Sequence, residues 1–158
     1  MISMICSMGK NRELGKNNKL IWHIPDDMKF FKKTTMGHPV VMGMNTYKSL
    51  PGILPGRKMI VLSRNAVLDD VLVINNKDKI IDEYLKSDEE IFIIGGAKVY
   101  EQFINYADNL YITLIDEKCE DADTFFPIFD ENDWNKTILD TGIYNDIKYK
   151  MCKYERKK

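Results

Sequence analysis

Hydrophobic and polar positions along this chain follow two different periods. Short apolar runs of strand length recur at Ile2–Ser7, Val40–Met44, Met59–Ser63, Val71–Ile74, Ile91–Ile94 and Leu110–Ile115. Helical spacing separates them at Asp26–Thr35, Thr46–Leu50, Asp78–Lys86 and Lys98–Tyr106. Strands alternating with helices predict an α/β fold with a mostly parallel central sheet of about eight strands and helices on both faces. The C-terminal pattern differs: Thr137–Ile143 and Lys148–Tyr154 flank Tyr144–Asp146 with no helix between them. That spacing predicts an antiparallel hairpin closing one edge of the sheet. No repeat, low-complexity tract or linker interrupts the chain, so residues 1–158 are expected to form a single domain.

The most informative helical stretch is Leu20–Thr35, LIWHIPDDMKFFKKTT. Pro25 suits a first helical position, where its missing N–H costs nothing. At about 100° per residue, Ile24, Met28, Phe31 and Thr35 share one face, while Asp26, Lys29 and Lys33 share the other, with Lys32 on the border. Asp26 therefore reads as an ordinary first-turn carboxylate among lysines, favoured there by the helix dipole. Asp27 instead points between Phe30 and Phe31, toward the interior. Burial disfavours its charged form, and no cation shares its face. Geometry alone leaves two readings open: a carboxylate satisfied by structural hydrogen bonds, such as those a first-turn Asp can take from free amides of its own helix, or an acid kept for a ligand and a proton.

Composition sets the outer limits. The chain is 44% hydrophobic with a formal net charge of −1. It has no basic excess for nucleic acid and no long apolar run or basic amphipathic helix for a membrane. MISMICSM lacks a charged leader and a cleavage site, and reads as a strand rather than a signal peptide. Cys6, Cys119 and Cys152 are widely spaced, and with His23 and His38 they show no metal-ligand spacing. They fit a reducing compartment, so a cytoplasmic location is expected, with no metal.

Three strand-following loops could meet a ligand at the carboxyl ends of the sheet. Gly9–Lys19 is polar, and its place before Asp27 suggests a mobile lid as well as a plain surface loop. Gly43-Met44-Asn45-Thr46 leaves one buried strand and Gly95-Gly96-Ala97 leaves another, each entering a helix. Free amides at a helix start hold phosphate oxygens, and glycines let the backbone approach a ligand closely. Two such starts on one sheet suggest the pyrophosphate of a dinucleotide. Ser63-Arg64 adds a hydroxyl and a guanidinium suited to a further phosphate, such as that on the 2′ position of NADPH.

These segments carry a family resemblance. LGKNNKLIWHIPDDMKFFKKTT, PVVMGMNTYKSLP, LPGRKMIVLSR, IFIIGGAKVYEQF, LYITLID and DADTFFP, in this order, resemble dihydrofolate reductase over nearly the whole chain. The resemblance implies NADPH-dependent reduction of 7,8-dihydrofolate in a monomer, with antifolate inhibitors as further small-molecule partners. Asp27 would pair with the pterin 2-amino group and N3 and assist protonation of N5. Thr113 would bond that carboxylate, Trp22 would hold a nearby water, and Leu20 would close over the reacting ring. Ile5, Met28, Phe31, Leu50, Leu54 and Ile94 would enclose the pterin and aminobenzoyl groups, Arg57 would take the glutamate tail, and Lys32 would assist at the rim. Ser7, Gly15, Asn18, Leu20, Ser49, Ile94 and Tyr100 match positions around the nicotinamide and its ribose. Gly43, Thr46, Gly95, Gly96, Ala97, Lys98, Val99 and Gln102 match the pyrophosphate and adenosine side, and the Gly95–Gly96 peptide is cis in the family. Leu62, Ser63, Arg64, Met44 and Asn45 would surround the 2′-phosphate end.

Three departures stand out. Met44 replaces an arginine that many members use on the 2′-phosphate, leaving Ser63, Arg64 and Asn45 to that task. Gly52 replaces a second basic residue near the glutamate tail, and Leu20 replaces a methionine of similar volume. Two other classes remain as alternatives: a riboflavin-pathway reductase, which shares the Gly-Gly turn, and an NADPH-binding module without catalysis.

Overall fold

A computed structural model covers all 158 residues. In chain order it contains β1 (Ile2–Met8), β2 (Glu13–Lys16), β3 (Lys19–Leu20), α1 (Pro25–Thr35), β4 (Val40–Gly43), α2 (Met44–Ser49), β5 (Met59–Leu62) and β6 (Leu72–Ile74). There follow α3 (Lys77–Tyr84), β7 (Ile91–Gly95), α4 (Ala97–Phe103), β8 (Asn109–Ile115), β9 (Thr124–Phe125), a 3-10 turn at Glu131–Asp133, β10 (Trp134–Tyr144) and β11 (Ile147–Arg156).

Eight strands form the central sheet in the order β10-β11-β8-β1-β7-β4-β5-β6. The six from β8 to β6 run parallel, β11 pairs antiparallel with β8, and β10 pairs antiparallel with β11 at the edge. The predicted α/β architecture and C-terminal hairpin are both present. Strand alternation divides the core between the two faces. Val41, Ile60 and Ile93 pack with Ile80, Ile81 and Tyr84 of α3 and with Val99 and Phe103 of α4. Val40, Met42, Met59 and Val61 pack on the other face with Phe30 and Phe31 of α1 and Met44 and Tyr47 of α2. Both edges of the sheet are poor templates for further pairing. β6 has three residues, and β10 is broken by a bulge between Ile138 and Asp140.

The sequence reading missed a second sheet, β3-β2-β9. Gly9–Lys19, read as loop or lid, contains β2 and the start of β3. β2 pairs with β3 through Gly15–Leu20 and Lys16–Lys19, and with β9 through Glu13–Phe125 and Gly15–Thr124. Asn17 and Asn18 join the first pair at φ of 51° and 60°. Two successive left-handed residues make the tight hairpin turn whose twist matches its strands, and Asn tolerates it. Other differences lie at element ends. α2 begins at Met44 rather than Thr46, α3 and α4 stop at Tyr84 and Phe103, and β10 begins at Trp134 rather than Thr137.

Glu13 anchors this small sheet. It is buried, and its carboxylate accepts from the Asn11 amide at 2.6 Å and the Cys119 amide at 2.7 Å. It thereby ties the start of β2 to the segment after β8. Glu13→Ala strands those donors, so the urea midpoint should fall by the equivalent of about 1–3 kcal/mol with an unchanged slope. An unchanged midpoint would mean that water serves the two amides equally well.

Candidate active site

The site begins with a cross-strand pair. β1 and β8 place Ser7 opposite Thr113, and the first turn of α1 lies over them. The half-buried Asp27 carboxylate meets this pair, with Thr113 Oγ1 donating to Oδ1 at 2.5 Å. No amide of its own helix donates to it, and the helix cap, Ile24, has no side-chain acceptor. Burial pushes the Asp27 carboxyl above its ordinary range, while the Thr113 and Ser7 hydroxyls pull it partly back. Cys6, on β1 close by, is itself pushed well up by burial and by the Asp27 charge, which keeps it a neutral thiol.

Beside Asp27, the sheet face and α1 carry an apolar cluster where the resemblance puts the substrate groove. Ile5 is part of its buried floor, and Phe31, Leu50, Leu54 and Ile94 are half-buried around it. Met28 and Leu20 are 62% and 57% exposed, so neither belongs to the core face that helical periodicity assigned to Met28. Both stand at the open side. Lys32 is exposed. Trp22 is half-buried against Gly9, where any Cβ would collide with the indole. Arg57 lies beyond Phe31: its Nε donates to Pro55 O at 3.0 Å and its Nη1 to Thr35 Oγ1 at 3.2 Å. Three of the five guanidinium N–H groups remain unspent, held in a fixed orientation.

A second cluster sits at the carboxyl ends of β4 and β7, which are adjacent and parallel. Their neighbouring positions bring the starts of α2 and α4 together. Gly43 approaches Val99 so closely that a Cβ would stand 3.1 Å from its side chain. Cβ atoms on Gly95 and Gly96 would lie 3.4 and 3.6 Å from Thr46 Oγ1. Gly95 has φ of 128°, open to glycine, and the Gly95–Gly96 peptide is cis, as the resemblance implied. Neither helix cap, Gly43 or Gly96, offers a side-chain acceptor, so the first amides of both helices are uncapped. Ala97 and Lys98 open α4. Tyr100 is buried beneath the turn and donates to Ile5 O at 2.7 Å, joining this cluster to the groove floor. Ser49 and Gln102 are exposed and bond their own helices, at Thr46 O and Lys98 O. Gly15 is buried in the small sheet and Asn18 occupies its turn.

Past Leu62, which pairs with Gly43, lies a cavity of about 290 Å³ lined by Ser63, Arg64, Asn75 and Lys79 among others. Lys79, on α3, was missed by the sequence reading, because a lysine on an amphipathic helix looks like any solvated one. Its Nζ donates to Asn75 Oδ1 at 3.1 Å, which holds it toward this cavity. Met44 and Asn45 start α2 nearby, and Met44 packs against the core.

Two contacts lie beyond what helical spacing and the resemblance indicated. Asp26, on the exposed side of α1, has a partner from the sheet: its Oδ2 accepts from the Tyr149 hydroxyl at 2.8 Å. Ser7, matched to the nicotinamide side, also stands beside Asp27.

The sequence and the fold both match known proteins. The sequence profile described as dihydrofolate reductase matches residues 1–156. The dihydrofolate reductase of Bacillus subtilis (strain 168) is 38% identical over 162 residues, covering 99% of this chain and 95% of the relative. That of Buchnera aphidicola subsp. Baizongia pistaciae is 41% identical over 155 residues, covering 97% and 93%. A solved dihydrofolate reductase from Enterococcus faecalis, complexed with NADP(H) and RAB-propyl, superposes with a TM-score of 0.90 at 32% identity, covering all of this chain and 97% of that one. A half-buried carboxylate at the head of an apolar groove, beside two uncapped helix starts, thus occurs in a chain that belongs to the dihydrofolate reductase family.

Proposed function

We propose that this protein reduces 7,8-dihydrofolate to 5,6,7,8-tetrahydrofolate with NADPH, and that Asp27 is the group that orients the pterin and governs protonation of N5. The observation that carries this reading is the half-buried Asp27 carboxylate, bonded by Thr113 at the head of an apolar groove. Its two oxygens match two parallel N–H donors, the 2-amino group and N3 of a pterin. Its raised pKa suits proton exchange nearer neutrality than an ordinary aspartate allows. Trp22 supports a water that relays the proton. Ile5, Phe31, Leu50, Leu54 and Met28 exclude solvent around the ring system, and Leu20 and Ile94 bound the reacting face. The unspent N–H groups of Arg57 take the α-carboxylate of the glutamate tail, with Lys32 at the rim.

NADPH, when bound, supplies the hydride delivered to C6. The protein's own part is to hold that cofactor. The glycines at 43, 95 and 96 leave a cradle that any Cβ would narrow, and the uncapped amides with the Thr46 hydroxyl suit pyrophosphate oxygens. Arg64 and Lys79, with Ser63 and Asn45, surround the 2′-phosphate, compensating for the uncharged Met44. The two alternatives, a riboflavin-pathway reductase and an inert NADPH binder, are not favoured, because the family match runs nearly end to end.

The protein is proposed to act as a cytoplasmic monomer on small molecules, substrate and antifolate inhibitors, without nucleic acid or membrane. Its bulged and short sheet edges and its three free cysteines support that reading. No helix is long and apolar enough to cross a membrane.

Asp27→Asn keeps the shape and loses the acid. NADPH oxidation by dihydrofolate should fall about 10²–10⁴-fold near neutral pH and recover partly in acid. A variant within twofold of wild type at pH 7 would make Asp27 structural.

The same substitution tests the linkage to stability. The folded carboxyl has the higher pKa, so the native state binds more protons than the unfolded state between the two values. Stability therefore falls as pH rises through that window, and the ionised Asp27 costs stability above it. Asp27→Asn should equal or exceed wild type in unfolding free energy at pH 7, with the gap closing below about pH 4. A variant less stable at pH 7 but not at pH 4 would reverse the sign.

Arg64→Ala should raise the KM for NADPH about tenfold or more, the value of one hydrogen bond to a charged group, while leaving NADH unchanged. Equal catalytic efficiency with both cofactors in wild type, and no loss in the variant, would remove Arg64 from the site.

A further inference from the structure

The first turn of α1 presents two consecutive carboxylates, and the sheet grips both from neighbouring strands. Asp27 takes the Thr113 hydroxyl from β8, and Asp26 takes the Tyr149 hydroxyl from β11 at 2.8 Å. In the β8–β11 register, Met151 faces Thr113 and Tyr149 faces Ile115. Thr113 and Tyr149 are therefore diagonal neighbours on the sheet face that carries the start of α1. These two bonds tie adjacent residues of the first turn to two neighbouring strands. Ile24 offers no side-chain cap and Pro25 follows, so the apolar side of the turn is held by Ile24, Phe30 and Phe31 while its carboxylate side is held by bonds to the sheet.

Tyr149 is built to reach. The residue is 4% exposed and packs with Ile24, Ile115 and Met151, beside Trp22. Its ring can lie flat across β10 because its cross-strand partner is Gly142, where a Cβ would run into the phenol. A buried body with its hydroxyl on an exposed carboxylate is a rigid strut: the ring has little freedom, and the bond sets where Asp26 stands. Burial first, then the hydrogen bond to Asp26 and its charge, push the Tyr149 hydroxyl up to about 12, so it remains a donor throughout the working range.

We propose that Tyr149 and Asp26 form a positioning pair that fixes the rotation of the α1 first turn and so places the Asp27 carboxylate against its substrate. This rests on the reading of Asp27 given above. With the strut removed, the apolar packing of Ile24, Phe30 and Phe31 still seats the helix, but the carboxylate side of the turn keeps only its contacts at Asp27, which can then shift by fractions of an ångström. Displacement of about 1 Å can cost roughly a hundredfold in rate, so a partial loosening should cost less. Tyr149→Phe keeps the packing and loses only the bond. Asp26→Ala removes the same bond from the other side, and Asp26→Asn keeps an acceptor for the phenol.

The test measures hydride-transfer rate and both KM values in Tyr149→Phe, Asp26→Ala and Asp26→Asn, each alone and combined with Asp27→Asn. Tyr149→Phe and Asp26→Ala should each lose about three- to tenfold in rate with the KM for NADPH unchanged, and Asp26→Asn should recover most of it. In the Asp27→Asn background the same substitutions should have no further effect, because the group they position is already gone. A wild-type rate in both Tyr149→Phe and Asp26→Ala would overturn the proposal. So would an equal loss in both backgrounds, which would make the contact merely structural. Should Asp27→Asn alone run at the wild-type rate, the reading of Asp27 fails and the pair has nothing to place; a collapse in that variant beside a normal Tyr149→Phe discards the positioning pair alone.

Discussion

Partial removal of one carboxylate from water is the constraint on which this structure turns. Asp27 must be dry enough for its proton affinity to rise and gripped well enough to remain in place. The hydroxyls of Thr113, at 2.5 Å, and Ser7 face it in the fold, and no cation neutralises it. The balance depends on the parallel pairing of β1 with β8, which sets Ser7 and Thr113 side by side beneath the start of α1. A lysine or arginine in place of either hydroxyl would lower the carboxyl toward its ordinary range and remove the feature that suits it to proton exchange.

The cofactor side follows from topology. The chain passes from β1 to β4, runs outward through β5 and β6, then returns to insert β7 between β4 and β1. That return sets the ends of β4 and β7 together, and each end opens into a helix whose first amides lack side-chain caps. Ligands in open α/β sheets bind where strand order reverses, for this reason. Tyr100 connects the two halves of the site, since its hydroxyl bonds the Ile5 carbonyl at the groove floor while its ring lies under Gly95.

The central sheet was legible in the sequence because its strands are continuous apolar runs separated by helical spacing. The small second sheet was not, because β2, β3 and β9 are short and partly polar. Yet its turn carried the same chemistry as one that was recognised. Asn145-Asp146 and Asn17-Asn18 both sit at positive φ between paired strands, and only the first was flanked by long alternating segments. In the site, Asp27 stood out since a carboxylate on an apolar helix face demands a partner. Asp26 did not: its partner lies 123 residues away on β11, and periodicity registers only neighbours on the same helix. Met28 shows the converse limit. Helical spacing marks a residue as facing inward, but an open groove and a packed core present the same pattern.

The most direct test of the central constraint is a carbon NMR titration of the aspartate carboxyls in the ligand-free protein, with the Asp27 signal assigned from its loss in Asp27→Asn. A midpoint above that of an unperturbed aspartate, about 3.9, is expected from burial that outweighs the Thr113 and Ser7 hydrogen bonds. A midpoint at or below that value would mean that hydrogen bonding outweighs desolvation, and that Asp27 is an ordinary ionised carboxylate with no raised proton affinity to contribute.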